Sequence, residues 1–346
     1  MNLPDYEFLS APLWLITVLH VLTLTLHFVA MNFLFGGVII TLYAAVRRRW
    51  DDPTLKKFVR LFPSAMAATV TLGVAPLLFL QMVYPKQMYA AAIVSGWFWL
   101  LIIAVAIVVY YALYRCAFKA ERTGRISKAA LGLALLGLLY ISLTYSSVFS
   151  MAERPGQIHS LYAQDQSGWM WNPAAGDYVL RWLHMMLGAV TVGGFFVGMI
   201  GRDEPAAFAL GKQFFVVGMV LAMVAGMAYL LTLLPYLEAF MHTAAIWGLT
   251  VGVLLSLGSL HFFFKRRFCE SGTMLFVSML TMVYARHTVR LLKLAGQFDP
   301  VSWRVAPQWS VFILFLICFV VMLAVVAYML RLVFGGTRSA ASSKAG

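Results

Sequence analysis

Three observations predict an all-α, polytopic membrane protein. Hydrophobic residues make up 62% of the 346-residue chain and charged residues only 11%, a balance that excludes an ordinary soluble domain. The apolar residues fall into long stretches, each able at about 1.5 Å per residue to cross a hydrocarbon core of about 30 Å. The formal charge of +13 gathers in alternate loops. That is the pattern of a positive inner face, so the basicity is topological and does not mark a nucleic-acid binder.

Nine stretches have the required length, near 12–46, 58–84, 94–118, 128–150, 177–200, 209–234, 239–264, 272–294 and 308–334. The one at 272–294 is the weakest, because Arg286, His287 and Arg290 interrupt one end; eight is the alternative count. With the N-terminus outside, the inner loops collect Arg47, Arg48, Arg49, Lys56, Lys57, Arg60, Lys119, Arg122, Arg125 and Lys128, among others. The outer side keeps only Lys86, Arg154, Arg181, Arg286, Arg290, Lys293 and Arg304. The residues before the first span are acidic (Asp5, Glu7) and lack Lys or Arg, which argues against a cleaved signal peptide. The expected topology is therefore N-terminus out and C-terminus in. Cys116, Cys269 and Cys318 are isolated, with neither CxxC nor CxxCH, and read as small apolar fillers.

The stretch 181–202 repeats a frame found earlier. Leu183-His184 precedes Gly193-Gly194 as Leu26-His27 precedes Gly36-Gly37. Spans two and six also end alike, in LLFLQMVYP and YLLTLLPY. This predicts a parallel repeat of two four-helix bundles plus one helix: a first half at 1–150, an outer loop at 151–176, a second half at 177–294, a connection and ninth helix at 295–334, and a disordered tail at 335–346. Trp169 and Trp171 in the outer loop suit interfacial anchors or a docking surface.

An imidazole in lipid costs free energy unless a metal or a hydrogen bond across a helix interface satisfies it. His20 and His27, seven residues apart, share a helix face but differ in depth by about 10 Å, so they cannot serve one iron. His184, His242 and His287 fall near outer ends of their spans; His261 reads as structural and His159 as solvated. Gly36, Gly37, Gly188, Gly193 and Gly194 would let a neighbouring backbone or a porphyrin face come close, as would the GxxxG frames at 194–198 and 248–252. Arg181, Arg286 and Arg290 on the outer side need a counter-ion or a headgroup, and haem propionates would supply the former. No Asp or Glu is expected deep in a span, and Glu238 falls at a boundary, so an inside-fed proton path would need another subunit.

These residues resemble subunit I of the cytochrome bd oxidase superfamily, as a short, divergent branch. His27 with Gly36 nine residues on matches the family's axial ligand at the oxygen-reducing haem pair. His184 in LHMMLGAVTVGGFFVGMIG matches the ligand of the low-spin haem b. Two departures bear on function. Gly73, Val74 and Ala75 lead to Gln81 where the family has a Glu ligand, which speaks against haem d, and the quinol-binding loop is reduced to 235–241. Met241 and His242 are candidates for the second low-spin ligand, His242 favoured as the stronger. His20 and His287 have no family counterpart and could hold a further haem. The resemblance implies two or three haems b and electron transfer near the periplasmic face of a bacterial inner membrane. A periplasmic or multihaem cytochrome c would be the partner, with further membrane subunits possible. The alternatives are a cytochrome c-fed oxygen reductase, a quinol-oxidising membrane anchor and a transporter.

Overall fold

A computed structural model describes residues 8–47 and 52–318, with residues 320, 321, 324, 325 and 328 beyond them. The tail at 335–346 and much of the 308–334 stretch lie outside these residues. The chain runs through α1 (Leu13–Val46), α2 (Pro53–Val83), α3 (Pro85–Val94), α4 (Gly96–Thr123), α5 (Lys128–Ala152) and α6 (Pro155–Gln164). It continues through α7 (Ala175–Ile200), α8 (Pro205–Thr232), α9 (Leu234–Met241), α10 (Ala245–Phe264) and α11 (Phe268–Leu294). A further apolar helix begins at Trp309–Cys318. Among the described residues eight helices are long and apolar enough to cross a membrane, namely α1, α2, α4, α5, α7, α8, α10 and α11. Much of their outer surface is apolar, for example Leu100, Ile103 and Ile107 on α4 and Val220 and Val224 on α8, as a hydrocarbon solvent requires.

Local chemistry sets the helix ends. Proline opens α2, α3, α6 and α8, where its missing N–H is no loss. Asp52 caps α2 by accepting from the Leu55 amide at 3.1 Å. Gly124, at φ 65°, ends α4 in the left-handed conformation that a side chain would resist. Two-residue strands, Phe8–Leu9 and Arg304–Val305, pair in parallel and tie the start of α1 to the segment after α11.

Two connections carry more structure than expected: the 151–176 segment contains α6, and the 235–241 connection is helical, as α9. The weakest expected span, 272–294, is a full 27-residue helix, α11. Of the cysteines only Cys116 is buried filler; Cys269 and Cys318 are exposed.

Glycines decide how close the helices come. A Cβ on Gly36 of α1 would lie 2.1 Å from the Ala189 carbonyl oxygen of α7, and one on Gly193 would lie 2.6 Å from the Gly36 backbone. The two helices therefore cross backbone against backbone, through equivalent residues of the repeat. The next glycine of each pair turns to its own half. Gly37 receives the ring of Phe58 on α2, and Gly194 receives the backbone of Phe214 and Phe215 on α8. His27 to His184, Gly36 to Gly193 and Phe58 to Phe215 are equally spaced in sequence. The paired glycines thus serve helix packing, as do Gly198 against Phe263 and Gly252 against Thr281.

Because Gly36 and Gly193 share one crossing, Gly36→Val and Gly193→Val should each destabilise the protein by about 1–3 kcal/mol or more through overpacking. Gly132→Ala, where nothing lies within 4 Å of the added carbon, should be neutral. Thermal unfolding in detergent micelles checks both outcomes.

Candidate functional site

Two histidines sit in matching sockets. Nδ1 of His27 on α1 lies 2.9 Å from the Thr69 carbonyl oxygen of α2, and Nδ1 of His184 on α7 lies 2.8 Å from that of Ala222 on α8. A carbonyl only accepts, so in each ring Nδ1 carries the proton and donates it. The Nε2 lone pair is then left free, the arrangement found in metal-bound histidines. The residue four positions beyond each acceptor is a glycine. A Cβ on Gly73 would lie 2.9 Å from His27 Nδ1, and one on Gly226 would lie 2.8 Å from His184 Nδ1 and Cε1. Each ring therefore rests against bare backbone, one turn along from the carbonyl it bonds. In the sequence Gly73 entered only through the motif leading to Gln81, and Gly226 was not singled out, although Gly73 lies four residues beyond Thr69 as Gly226 lies four beyond Ala222.

Gly188 lies one turn from His184 on the same helix face. A Cβ there would meet nothing within 4 Å, so this glycine leaves open space and plays no part in packing.

His20 and His287, the sequence's candidates for a further haem, are neighbours. His20 is 3% exposed and donates from Nδ1 to the Pro76 carbonyl at 3.2 Å; His287 on α11 is 8% exposed. Their ring centroids are 6.1 Å apart with the planes at 51°. Met241 and His242 are instead exposed, at the turn between α9 and α10, and Gln81 is half-buried near the end of α2. His159 and His261 are exposed.

The charged residues form a cluster at the same end of α11. Glu153, just past α5, is 3% exposed. It pairs with Arg286, with Arg290 at 3.4 Å, with Lys293 at 3.5 Å and with Arg181 at 3.7 Å. Arg181 also donates to the Ser146 carbonyl at 2.8 Å. Burial alone would raise the Glu153 carboxyl, but Arg286, Arg181, Lys293 and Arg290 hold it down to about 2. Four cations share one carboxylate among the described residues, which leaves a local surplus of three positive charges. Nη1 of Arg286 and of Arg290, the Tyr84 hydroxyl and Nδ1 of His287 are all buried without a hydrogen-bond partner. Arg290 also lies over the Tyr84 ring, 5.9 Å from its centroid.

Sequence reasoning assigned Glu153 to an outer loop and so missed the cluster's centre. The available signal was the unanswered charge of Arg181, Arg286 and Arg290, which buried together demand a carboxylate.

No protein-family model, functionally described protein or solved structure matches this chain. The residues themselves fit a haem in three respects: oriented neutral imidazoles with a free lone pair, glycine clearance beside His184, and a buried cation surplus suited to carboxylates. Among the described residues no three His, Cys, Asp or Glu side chains converge as they would on a bare ion. A porphyrin asks the protein for only one or two axial ligands, which matches the lone and paired histidines here.

Removing the shared carboxylate leaves four cations facing one another, Arg181 and Arg290 buried and Arg286 and Lys293 partly so. Glu153→Gln should cost about 3–5 kcal/mol, the scale for breaking a buried ion pair from one side. The depressed carboxyl also fixes a pH dependence. Its contribution is fully present above the ordinary value of 4.5 and is lost as the pH falls through about 2. Melting temperatures of the wild type should fall across that acid window, and those of Glu153→Gln should be flatter there.

Proposed function

We propose that this chain is a haem b-binding membrane subunit that carries electrons near the periplasmic face of a bacterial inner membrane. The observation that supports this best is the doubled socket, an imidazole with Nδ1 tied to a carbonyl of the next helix, resting against a glycine, at equivalent places in two halves. A structural histidine needs the hydrogen bond but not the duplicated clearance. In this reading His27 and His184 each hold a haem, and bound haem supplies a one-electron carrier. The protein fixes ring orientation through Thr69 and Ala222, keeps each imidazole neutral, and excludes water by the packing of α1, α2, α7 and α8.

In this reading the N-terminus is outside, so the Glu153 cluster, His20 and His287 belong to the periplasmic side. A soluble or multihaem cytochrome c on that side is the electron partner, since the short 234–241 helix offers no extended quinol loop. Gln81, a neutral amide where the resembling family has a carboxylate ligand, favours electron relay over a haem d site.

One observation favours a second reading, a cytochrome c-fed oxygen reductase. Met241 and His242 are exposed at the α9–α10 turn, and a haem on His184 without either would keep an open axial position for a small ligand.

His184→Ala should remove one haem per chain and leave the protein in the membrane; Gly226→Val, by pushing a side chain into the same ring, should lower that haem's occupancy. Reduced-minus-oxidised spectra of purified protein, with and without CO, measure both and separate the readings. Low-spin signals untouched by CO support the relay, a CO-sensitive component supports the reductase, and absence of haem sinks both.

A further inference from the structure

His20, His287 and the cation cluster around Glu153 are not used by the two sockets, and they adjoin one another. His287 and Arg290 lie one turn apart on α11, on one face of the helix. Arg290 reaches the Tyr84 ring at the end of α2, and His20 bonds to Pro76 on that same helix. One end of the bundle therefore holds two buried imidazoles beside a surplus of positive charge.

The spacing of the rings is informative. With metal–nitrogen bonds of about 2.0–2.1 Å, two imidazoles on opposite sides of one metal put their centroids roughly 6.3 Å apart. The observed 6.1 Å matches this, and the 51° between planes is allowed because each ring can turn about its metal–nitrogen axis. Packed rings also stand about 4.5–7 Å apart, so the separation is joined by a second observation, a buried ring nitrogen of His287 that goes unpaired and that packing alone does not answer. The charge is informative too. Three uncompensated cations in an apolar bundle are costly, and Nη1 of both Arg286 and Arg290 lacks an acceptor.

We infer that His20 and His287 are the two axial ligands of one further haem, separate from those on His27 and His184, with its carboxylates received by Arg286, Arg290 and Lys293. The inference rests on the haem reading above. Two carboxylates take up two of the three surplus charges and give the unpaired guanidinium nitrogens their acceptors. His20 is already oriented for the role, its Nδ1 spent on Pro76 and its Nε2 free. The site's place at the end of the bundle makes it the haem nearest a partner protein. Its four cations hold its potential above that of a site without them, since positive charge favours the reduced form.

The test is haem-to-protein stoichiometry on the full chain, with redox titration and electron paramagnetic resonance. His20→Ala and His287→Ala should each lower the haem count by one, and the double variant should lose no more than either single one. Full retention in both variants, or a loss of two in the double, would overturn the shared-ligand assignment. If an alanine variant fails to fold, His287→Met decides: a retained haem with a raised potential supports ligation, since a Met/His pair raises it, and an unchanged potential refutes it. Arg290→Gln should lower the potential of the same haem and Glu153→Gln should raise it; an unmoved potential in both removes the carboxylate-anchoring part. Loss of haem in His184→Ala with full counts in the His20 and His287 variants would sink this inference alone. Wild-type protein without any haem would sink the haem reading with it.

Discussion

Hydrocarbon offers a polar group nothing to bond with, so each buried imidazole in this bundle must be answered by the protein itself. For His27, His184 and His20 the answer is the same kind of atom, a main-chain carbonyl on the next helix that already accepts within its own helix. Much of the local architecture follows from that bond. It demands a close approach between helices, and in two cases it demands a glycine where the ring lies. It also settles the protonation of the ring, because a carbonyl cannot donate. A side chain that could have been merely tolerated in lipid becomes an oriented base with one lone pair on offer.

The two halves keep this device while differing around it. From His27 to its acceptor is 42 residues, and from His184 to its acceptor is 38. The difference is four residues, about one helical turn, so the carbonyl and its glycine stay on the face that meets the histidine. At the other end of the same helices Gly36 and Gly193 touch, and their neighbours Gly37 and Gly194 each pack into their own half. The crossing joins residues equally spaced from the two histidines, and the two sockets lie on the helices it joins.

Electrostatics governs the far end of α11. Glu153 joins α5 to α7 and α11 by pairing with Arg181, Arg286, Arg290 and Lys293. Such an arrangement is weak support for stability on its own, because desolvating five charges offsets most of the attraction. Its importance is that it is unbalanced. A bundle that needed only to fold would have little reason to gather four cations around one acid, and the carboxylates of the proposed haem would answer the excess.

The sequence by itself determined the class of fold, since apolar runs of this length leave helices as the only way to satisfy the backbone in lipid. It also determined that His27 and His184 are equivalent, through their common spacing to a glycine pair, and that His20 and His27 cannot share a metal. The tertiary structure decided what periodicity does not encode. It assigned the glycine pairs to helix packing and set Gly73 and Gly226 against the histidines, because which neighbour a glycine faces depends on how helices cross. It set His20 beside His287 across hundreds of residues, left Met241 and His242 on the surface, and drew Glu153 from an apparent loop into the bundle. Pairing between helices is a property of their relative placement in three dimensions, and hydropathy carries only the alternation along each one.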